Sequence, residues 1–306
     1  MRYFDLHCDT LSECALRNLP LFNNSSLHLS LERGRGLSPW VQCFAAWIPD
    51  DCREPLAHFQ KIAERFRQEL LENPGRLCQC SSREELEQAA KAGLCGAIFT
   101  VEGGSVLEGR LENLELLCEY GVRMMTLTWN GANQIGGGAL EPGGMTEFGR
   151  KVLHRMEEMR MLPDVSHASE ALFWDVAEAT KGPLVVSHSN SQAVCRHPRN
   201  LTDCQFSEIL RRDGLVGLNF YPAFLTESGQ AGLEDILRHA EHFLELGGEK
   251  HLALGSDFDG ADMPDGMEGI QSVEKLAEVF LRHGYSDELV DRIFYQNAQE
   301  FFGKYL

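Results

Sequence analysis

Three histidines and three carboxylates stand out because each closes or follows a short apolar run. The first run gives Asp5-Leu6-His7-Cys8-Asp9-Thr10. Residues two apart share one face of a strand, so His7 and Asp9 can chelate one cation. They face the inside of a sheet if Phe4 and Leu6 pack outward. Ile98-Phe99-Thr100-Val101 runs into Glu102-Gly103-Gly104. A carboxylate there is costly to bury unless paired or metal-bound, and its two oxygens can each take one of two cations. Pro163-Asp164-Val165-Ser166-His167 and Leu184-Val185-Val186-Ser187-His188 repeat one arrangement, an imidazole just past a buried run with a serine beside it. Neutral imidazole is the commonest metal ligand, and neighbouring Ser and Asn groups can orient it. Leu254-Gly255-Ser256-Asp257-Phe258-Asp259-Gly260 offers Asp257 as a general base, while Asp259 and Asp262 read as turn residues. Taken singly, each reads equally as a capped strand end or a satisfied core histidine. Together they match a two-metal hydrolytic centre.

Other chemistries lack their motifs. The chain has no G-x-S-x-G, Walker A, H-E-x-x-H or G-x-G-x-x-G sequence. Gly136-Gly137-Gly138 reads as a flexible mouth loop. Arg196-His197-Pro198-Arg199-Asn200 is a basic island in an acidic chain, and Arg199 suits clamping a substrate carboxylate.

The elements that must position these groups alternate. β-branched or apolar runs at 3–7, 40–47, 95–101, 123–128, 161–165, 183–187, 215–220 and 251–256 read as strands. Helical patterns lie between and after them, at 55–73, 82–92, 108–119, 145–160, 169–180, 203–212, 232–246, 270–283 and 286–302. Ser82 with Glu85 fits a capping box, and Ser169 and Ser286 suit N-caps. Eight strands with intervening helices fit a (β/α)8 TIM barrel, read as one domain over 1–306. An open doubly wound sheet could hold as many strands. The barrel is preferred because a closed ring brings every strand end to one mouth, whereas an open sheet spreads them along an edge.

Composition narrows the partners. Hydrophobic residues make up 43% of the chain, enough for a sizeable core. Against 28 basic residues stand 46 acidic ones, a net charge of −18 that disfavours nucleic acid and anionic membrane surfaces. Ten scattered cysteines without a CxxC pair read as reduced thiols. With no secretory signal and no membrane span at the sequence level, the expected location is cytoplasmic.

These residues, in this order, resemble the membrane (renal) dipeptidase family of zinc peptidases. The resemblance covers nearly the whole chain and is densest from Gly121 to Gly260. It rests on Asp5-Leu6-His7-Cys8-Asp9, Val101-Glu102-Gly103, Met125-Thr126-Leu127-Thr128, Asp164-Val165-Ser166-His167, Ser187-His188-Ser189, Arg199-Asn200, Asn219-Phe220-Tyr221 and Asp257-Phe258-Asp259-Gly260. It implies two Zn2+ ions, one held by His7 and Asp9, the other by His167 and His188, with Glu102 between them. It further implies hydrolysis of a dipeptide by a dizinc-bound hydroxide, with Asp257 moving the proton, Arg199 on the substrate carboxylate, Tyr221 in the pocket, and a homodimer. One position departs: the family's Leu-Thr-His is Leu127-Thr128-Trp129 here. The family's histidine steadies the oxyanion, and indole offers one N–H and no basic nitrogen. Trp129 therefore keeps open a second expectation, another metal-dependent amidohydrolase acting on a cyclic amide, lactone or N-acyl amino acid.

Overall fold

The computed structural model describes residues 1–306. Its strands are β1 (Tyr3–Asp5), β2 (Trp40–Trp47), β3 (Leu77–Gln79), β4 (Cys95–Glu102), β5 (Val122–Thr126), β6 (Leu162–Asp164), β7 (Val185–Val186), β8 (Leu215–Leu218) and β9 (Leu252–Leu254). Every pairing is parallel. Eight strands run in the order β2-β1-β9-β8-β7-β6-β5-β4, and β4 pairs back on β2 from Trp40↔Cys95 to Trp47↔Glu102. That last pairing closes a (β/α)8 barrel. β3 is an addition to the expected strands; it pairs with Cys95–Ala97 of β4, ahead of the stretch from Phe99 that pairs with β5. Most expected strands are shorter here, because their last residues leave the ladder to enter the mouth loops.

The core has two layers. An inner cluster takes Phe4, Val41, Ile98, Met124, Leu162, Val185, Leu215 and Ala253, one from each strand of the ring, and joins them to Phe301 and Phe302. Side chains from all eight strands can meet only in the lumen. The Phe4 ring stacks on Phe302 at 5.2 Å, so the helix Asn297–Tyr305 plugs one end of the barrel. An outer cluster of 67 buried residues fills the layer between strands and helices, which makes it the larger share of the core.

This layering corrects the expected orientation of the first strand. Phe4 and Leu6 face inward, and Asp5 faces the outer layer, where Ser256 Oγ and Gln42 Nε2 donate to it at 2.6 and 3.0 Å. Strict alternation would have sent His7 outward as well. The pleat stops at Asp5 and the chain bends at Leu6, which turns His7 back over the lumen.

Helices flank the ring near their expected bounds, with three differences, the first being a short additional helix at Pro222–Leu225. Thr10–Arg17 is an additional helix, N-capped by Asp9 without a side-chain bond. The last helical stretch is three pieces, with a π-helical turn at Arg292–Gln296 between Asp287–Asp291 and Asn297–Tyr305. Ser82, Ser169 and Ser286 cap their helices as expected, but Glu85 receives the Ser81 N–H rather than that of Ser82.

Candidate metal centre

All six groups singled out from the sequence meet at one mouth. His7 and Asp9 follow β1, Glu102 ends β4, His167 follows β6, His188 follows β7 and Asp257 follows β9. Glu102 carries the geometry, because its two oxygens face different partners. Oε1 lies 2.7 Å from His167 Nε2 and 3.4 Å from His188 Nε2. Oε2 lies 3.7 Å from His7 Nε2. His7 Nε2 is also 3.4 Å from Asp9 Oδ2 and 4.0 Å from Asp257 Oδ1. Ligand atoms group closely enough for one ion in two overlapping sets, His7, Glu102 and His188, and His7, Asp9 and Asp257.

The surroundings fix which nitrogens are free. Ser187 Oγ donates to Asp164 Oδ2 at 2.6 Å and so accepts from His188 Nδ1 at 2.7 Å. His167 Nδ1 donates to Asn130 Oδ1 at 3.1 Å. Both imidazoles then present Nε2 lone pairs, and these two atoms stand 2.9 Å apart. Facing lone pairs repel unless a cation lies beside them. His7 Nε2 and Asp9 Oδ1 are buried without any hydrogen-bond partner, which a buried polar group tolerates poorly. The donor set, imidazole nitrogen plus carboxylate oxygen, suits zinc and other first-row divalent ions.

Electrostatics agree. Burial alone would lower the His7 pKa, but Glu102, Asp9 and Asp257 outweigh it and raise it to about 10. Burial raises Glu102 far above the carboxylate range, with His7 opposing. Burial, then the charges of Arg199 and His7, holds His167 and His188 neutral, the form that binds a metal.

Sequence reasoning passed over the residues that hold these groups in place. Asp164 is fully buried and accepts from Ser166 N, Ser166 Oγ and Ser187 N on one oxygen, and from Thr126 Oγ1 and Ser187 Oγ on the other. Its signal was an acid inside a strand, two residues before a serine. Asn219 Nδ2 donates to Asp257 Oδ2 at 3.0 Å. Asp259 is more than a turn residue, since it ties Thr10 and His28 to the end of β9. Gly260 is required by space: a Cβ would lie 2.1 Å from Asp9 Oδ2 and 2.6 Å from Asp257 Oδ1. Gly260→Ala should therefore displace both carboxylates and lower activity by about 10²-fold, by analogy with small misplacements in other sites, with overall stability measured by urea unfolding changed far less.

Arg199 is buried. Its Nη1 donates to Ser166 O and, at 3.1 Å, to Ser189 Oγ; Nη2 lies 3.4 Å from His188 O, and Nε is unpartnered. Burial pulls its pKa down to about 10. Of the two arginines in the basic island, Arg199 turns inward and Arg196 is exposed. A cavity of about 640 Å3 takes in Arg199, Tyr221 and Trp129 together with Asp9, Glu102, His167 and Asp257. Trp129 stands edge-on to Trp47 at 5.1 Å. The triple glycine gives the mouth loop room for close approach, since a Cβ on Gly137 would lie 2.1 Å from Gly143 N.

The loop that delivers Arg199 is pinned by His239. Ser191 N–H donates to His239 Nδ1, and Nε2–H donates to Leu225 O, both at 3.0 Å. Burial lowers the His239 pKa to about 4. Below the unfolded value of about 6.5, the unfolded chain binds a proton that the folded one refuses, so stability is full above pH 6.5 and falls toward pH 4 by up to about 3 kcal/mol. His239→Gln should flatten this acid limb relative to wild type in urea unfolding series from pH 7 to 4.5.

A family model described as Membrane dipeptidase (Peptidase family M19) matches residues 1–304. An uncharacterized protein in the pqqA 5′ region of Klebsiella pneumoniae is 34% identical over 76% of this chain and 90% of its own. A metallo peptidase from Rhodobacter sphaeroides, crystallised with a phosphinate mimic of the dipeptide L-Ala-D-Ala, matches with a TM-score of 0.95 at 27% identity, covering 100% of this chain and 99% of that one. Dipeptidase AC, an M19 metallo peptidase, gives 0.94 at 28% identity, covering 100% and 98%. A barrel closed around these groups, and a family match spanning almost every residue, lead to one conclusion: the chain belongs to the membrane dipeptidase family, peptidase family M19.

Proposed function

We propose that this protein is a metal-dependent dipeptidase that holds two zinc ions. The observation that carries the reading is Glu102, whose oxygens face His7 on one side and His167 and His188 on the other. His7 and Asp9 would hold one ion, His167 and His188 the other, with Glu102 shared between them. When bound, the ions would lower the pKa of water and polarise the scissile carbonyl. Asp257 would take a proton from the attacking water and return it to the leaving amine. Arg199 would receive the substrate's terminal carboxylate. Tyr221, at the N-cap of the helix Pro222–Leu225, forms part of the cavity wall and would pack on the substrate. Ten free thiols support a reducing compartment, and no helix of the structure is long and apolar enough to cross a membrane.

Zinc-loaded protein should hydrolyse a panel of L,L and L,D dipeptides, and chelation should stop it with recovery on zinc return. Inactivity on the whole panel with both metals bound would refute the reading.

Trp129 favours a second reading, an amidohydrolase for a different amide or lactone, because an indole stands where the family places a histidine. Trp129→His separates the two. If the pocket is built for another substrate, dipeptide turnover rises while that other hydrolysis is lost. If the protein is already a dipeptidase, the change leaves dipeptide turnover level or lowers it.

A further inference from the structure

His28 has every polar atom but one committed to structure. It belongs to the long segment between the helix Thr10–Arg17 and β2. Its N–H donates to Asp259 Oδ1 at 2.5 Å, its C=O accepts from Ile270 N at 3.0 Å, and its Nδ1 accepts the Asp259 N–H at 3.0 Å. A ring nitrogen that accepts carries no proton, so the ring proton is on Nε2. Asp259 is itself fixed by Thr10 Oγ1 at 2.5 Å. What remains is one N–H on a side chain that is one-third exposed and lines the cavity. A donor held this firmly costs little entropy to use.

Its place in the ring decides what it can meet. Arg199 sits with Ser166 and His188, past β6 and β7. His28, through Asp259, sits past β9 beside the start of the helix that follows β1, about three strands round the barrel. A dipeptide with its carboxylate on Arg199 extends its N-terminal residue toward His28. That residue's ammonium is itself a donor, and its carbonyl oxygen belongs to the reacting centre. Neither suits an N–H, so the acceptor left for His28 is a side-chain oxygen. Arg17 lines the same cavity. It shares Nη1 with Glu13 at 3.1 Å and keeps its other donors. Of the acids on this part of the wall, Glu13 is engaged by Arg17 and Asp259 by Thr10 and His28, which leaves Asp262 as the carboxylate a bound anion would have to avoid.

We propose that the cavity selects dipeptides whose N-terminal residue carries a side-chain carboxylate, received by His28 Nε2–H and Arg17. The assignment rests on the dipeptidase reading. Both residues are specificity determinants and stand apart from the groups that move protons.

The test compares kcat/KM for Glu-Ala and for Met-Ala, a side chain of similar length without oxygen. The zinc-loaded wild type, His28→Asn, His28→Gln and Arg17→Gln would be measured. Asn keeps an acceptor where Nδ1 stands but is too short to place a donor at Nε2; Gln keeps a donor near Nε2 and weakens the tie to Asp259. The wild type should favour Glu-Ala by about tenfold or more, the size of one charge-assisted hydrogen bond. His28→Asn and Arg17→Gln should each shrink that preference at least about fivefold, mainly through KM, and His28→Gln should retain more of it than His28→Asn. Equal wild-type rates on the two peptides, or a fall equal on both with a lowered melting temperature, overturns the selectivity and leaves His28 a structural residue. Hydrolysis of neither peptide by metal-loaded protein that turns over other members of the L,L and L,D panel overturns this assignment alone; inactivity across the whole panel overturns the dipeptidase reading itself, and this assignment with it.

Discussion

Glu102→Gln should leave the centre short of at least one cation and cut turnover by about 10²-fold or more, since even partners that merely orient a ligand cost ~10–100-fold. Glutamine keeps the size of the side chain but replaces one oxygen with an NH2. Whichever way the amide turns, a donor then faces either His7 Nε2 or the pair of nitrogens on His167 and His188, which stand 2.9 Å apart. The negative charge that lets two cations share so small a space is lost at the same time. Burial raises the Glu102 pKa strongly in the metal-free protein, so metal uptake should release protons. Two measurements check this. Elemental analysis should find two zinc ions per chain in wild type and one or none in the variant. The melting temperature of wild type should fall on chelation, because a ligand at about 1,000 times its Kd stabilises by about 4 kcal/mol. The variant's should move much less. Full zinc content with full activity in Glu102→Gln would remove the basis for the proposed centre.

How far the molecule could be read from its sequence depends on how local the signal was. Glu102 was legible because a carboxylate directly after the run from Ile98 to Val101 is costly to bury unless paired or metal-bound; its inward direction follows from Ile98, four residues earlier, which faces the lumen. His7 was found by its type, but for a reason that failed, since alternation from Phe4 and Leu6 would have turned it outward. Next to the bend at Leu6, Asp5 is held by Ser256, 251 residues away in sequence, a tie that no window on the first strand contains. The same distance hid His28, whose role depends on Asp259 from the far end of the chain. The helix Thr10–Arg17 escaped because it is only eight residues long and Asp9, at its N-cap, gives it no side-chain bond. Asp9 is drawn instead toward His7. The π-helical turn at Arg292–Gln296 interrupts what reads as one continuous helix. Beside it, Asn297 Nδ2 donates to Glu249 O and Leu252 O, both at 2.8 Å, a long-range tie that helical periodicity cannot reveal. For His7 and His28 the residue type carried the chemistry, and the setting came from contacts with the far end of the chain.

Asp257→Asn should lower kcat by about 10²–10⁴-fold, the range for loss of a general base, while zinc content stays near two. The substitution isolates proton transfer unusually well. Asp257 has φ +62°, a left-handed conformation that asparagine adopts about as readily as aspartate, so the backbone after β9 has no reason to move. An asparagine also keeps a carbonyl oxygen for the Asn219 Nδ2–H, now 3.0 Å from Asp257 Oδ2. What it loses is the ability to accept and return a proton. Burial raises the Asp257 pKa, with Asp9 adding to the effect and His7 and Asn219 opposing it. That direction belongs to the metal-free protein; cations held beside it would favour the carboxylate form. In the zinc-loaded wild type, kcat/KM should show an acid limb as this base takes up a proton, with rates falling as pH drops through it. In Asp257→Asn the residual rate should lack that limb. Residual activity near wild type, or an unchanged acid limb in the variant, would assign the proton to another group. Loss of zinc along with activity would make Asp257 a ligand of the first cation, which its place beside His7 and Asp9 also allows geometrically. The zinc count thus separates two roles that activity alone would merge.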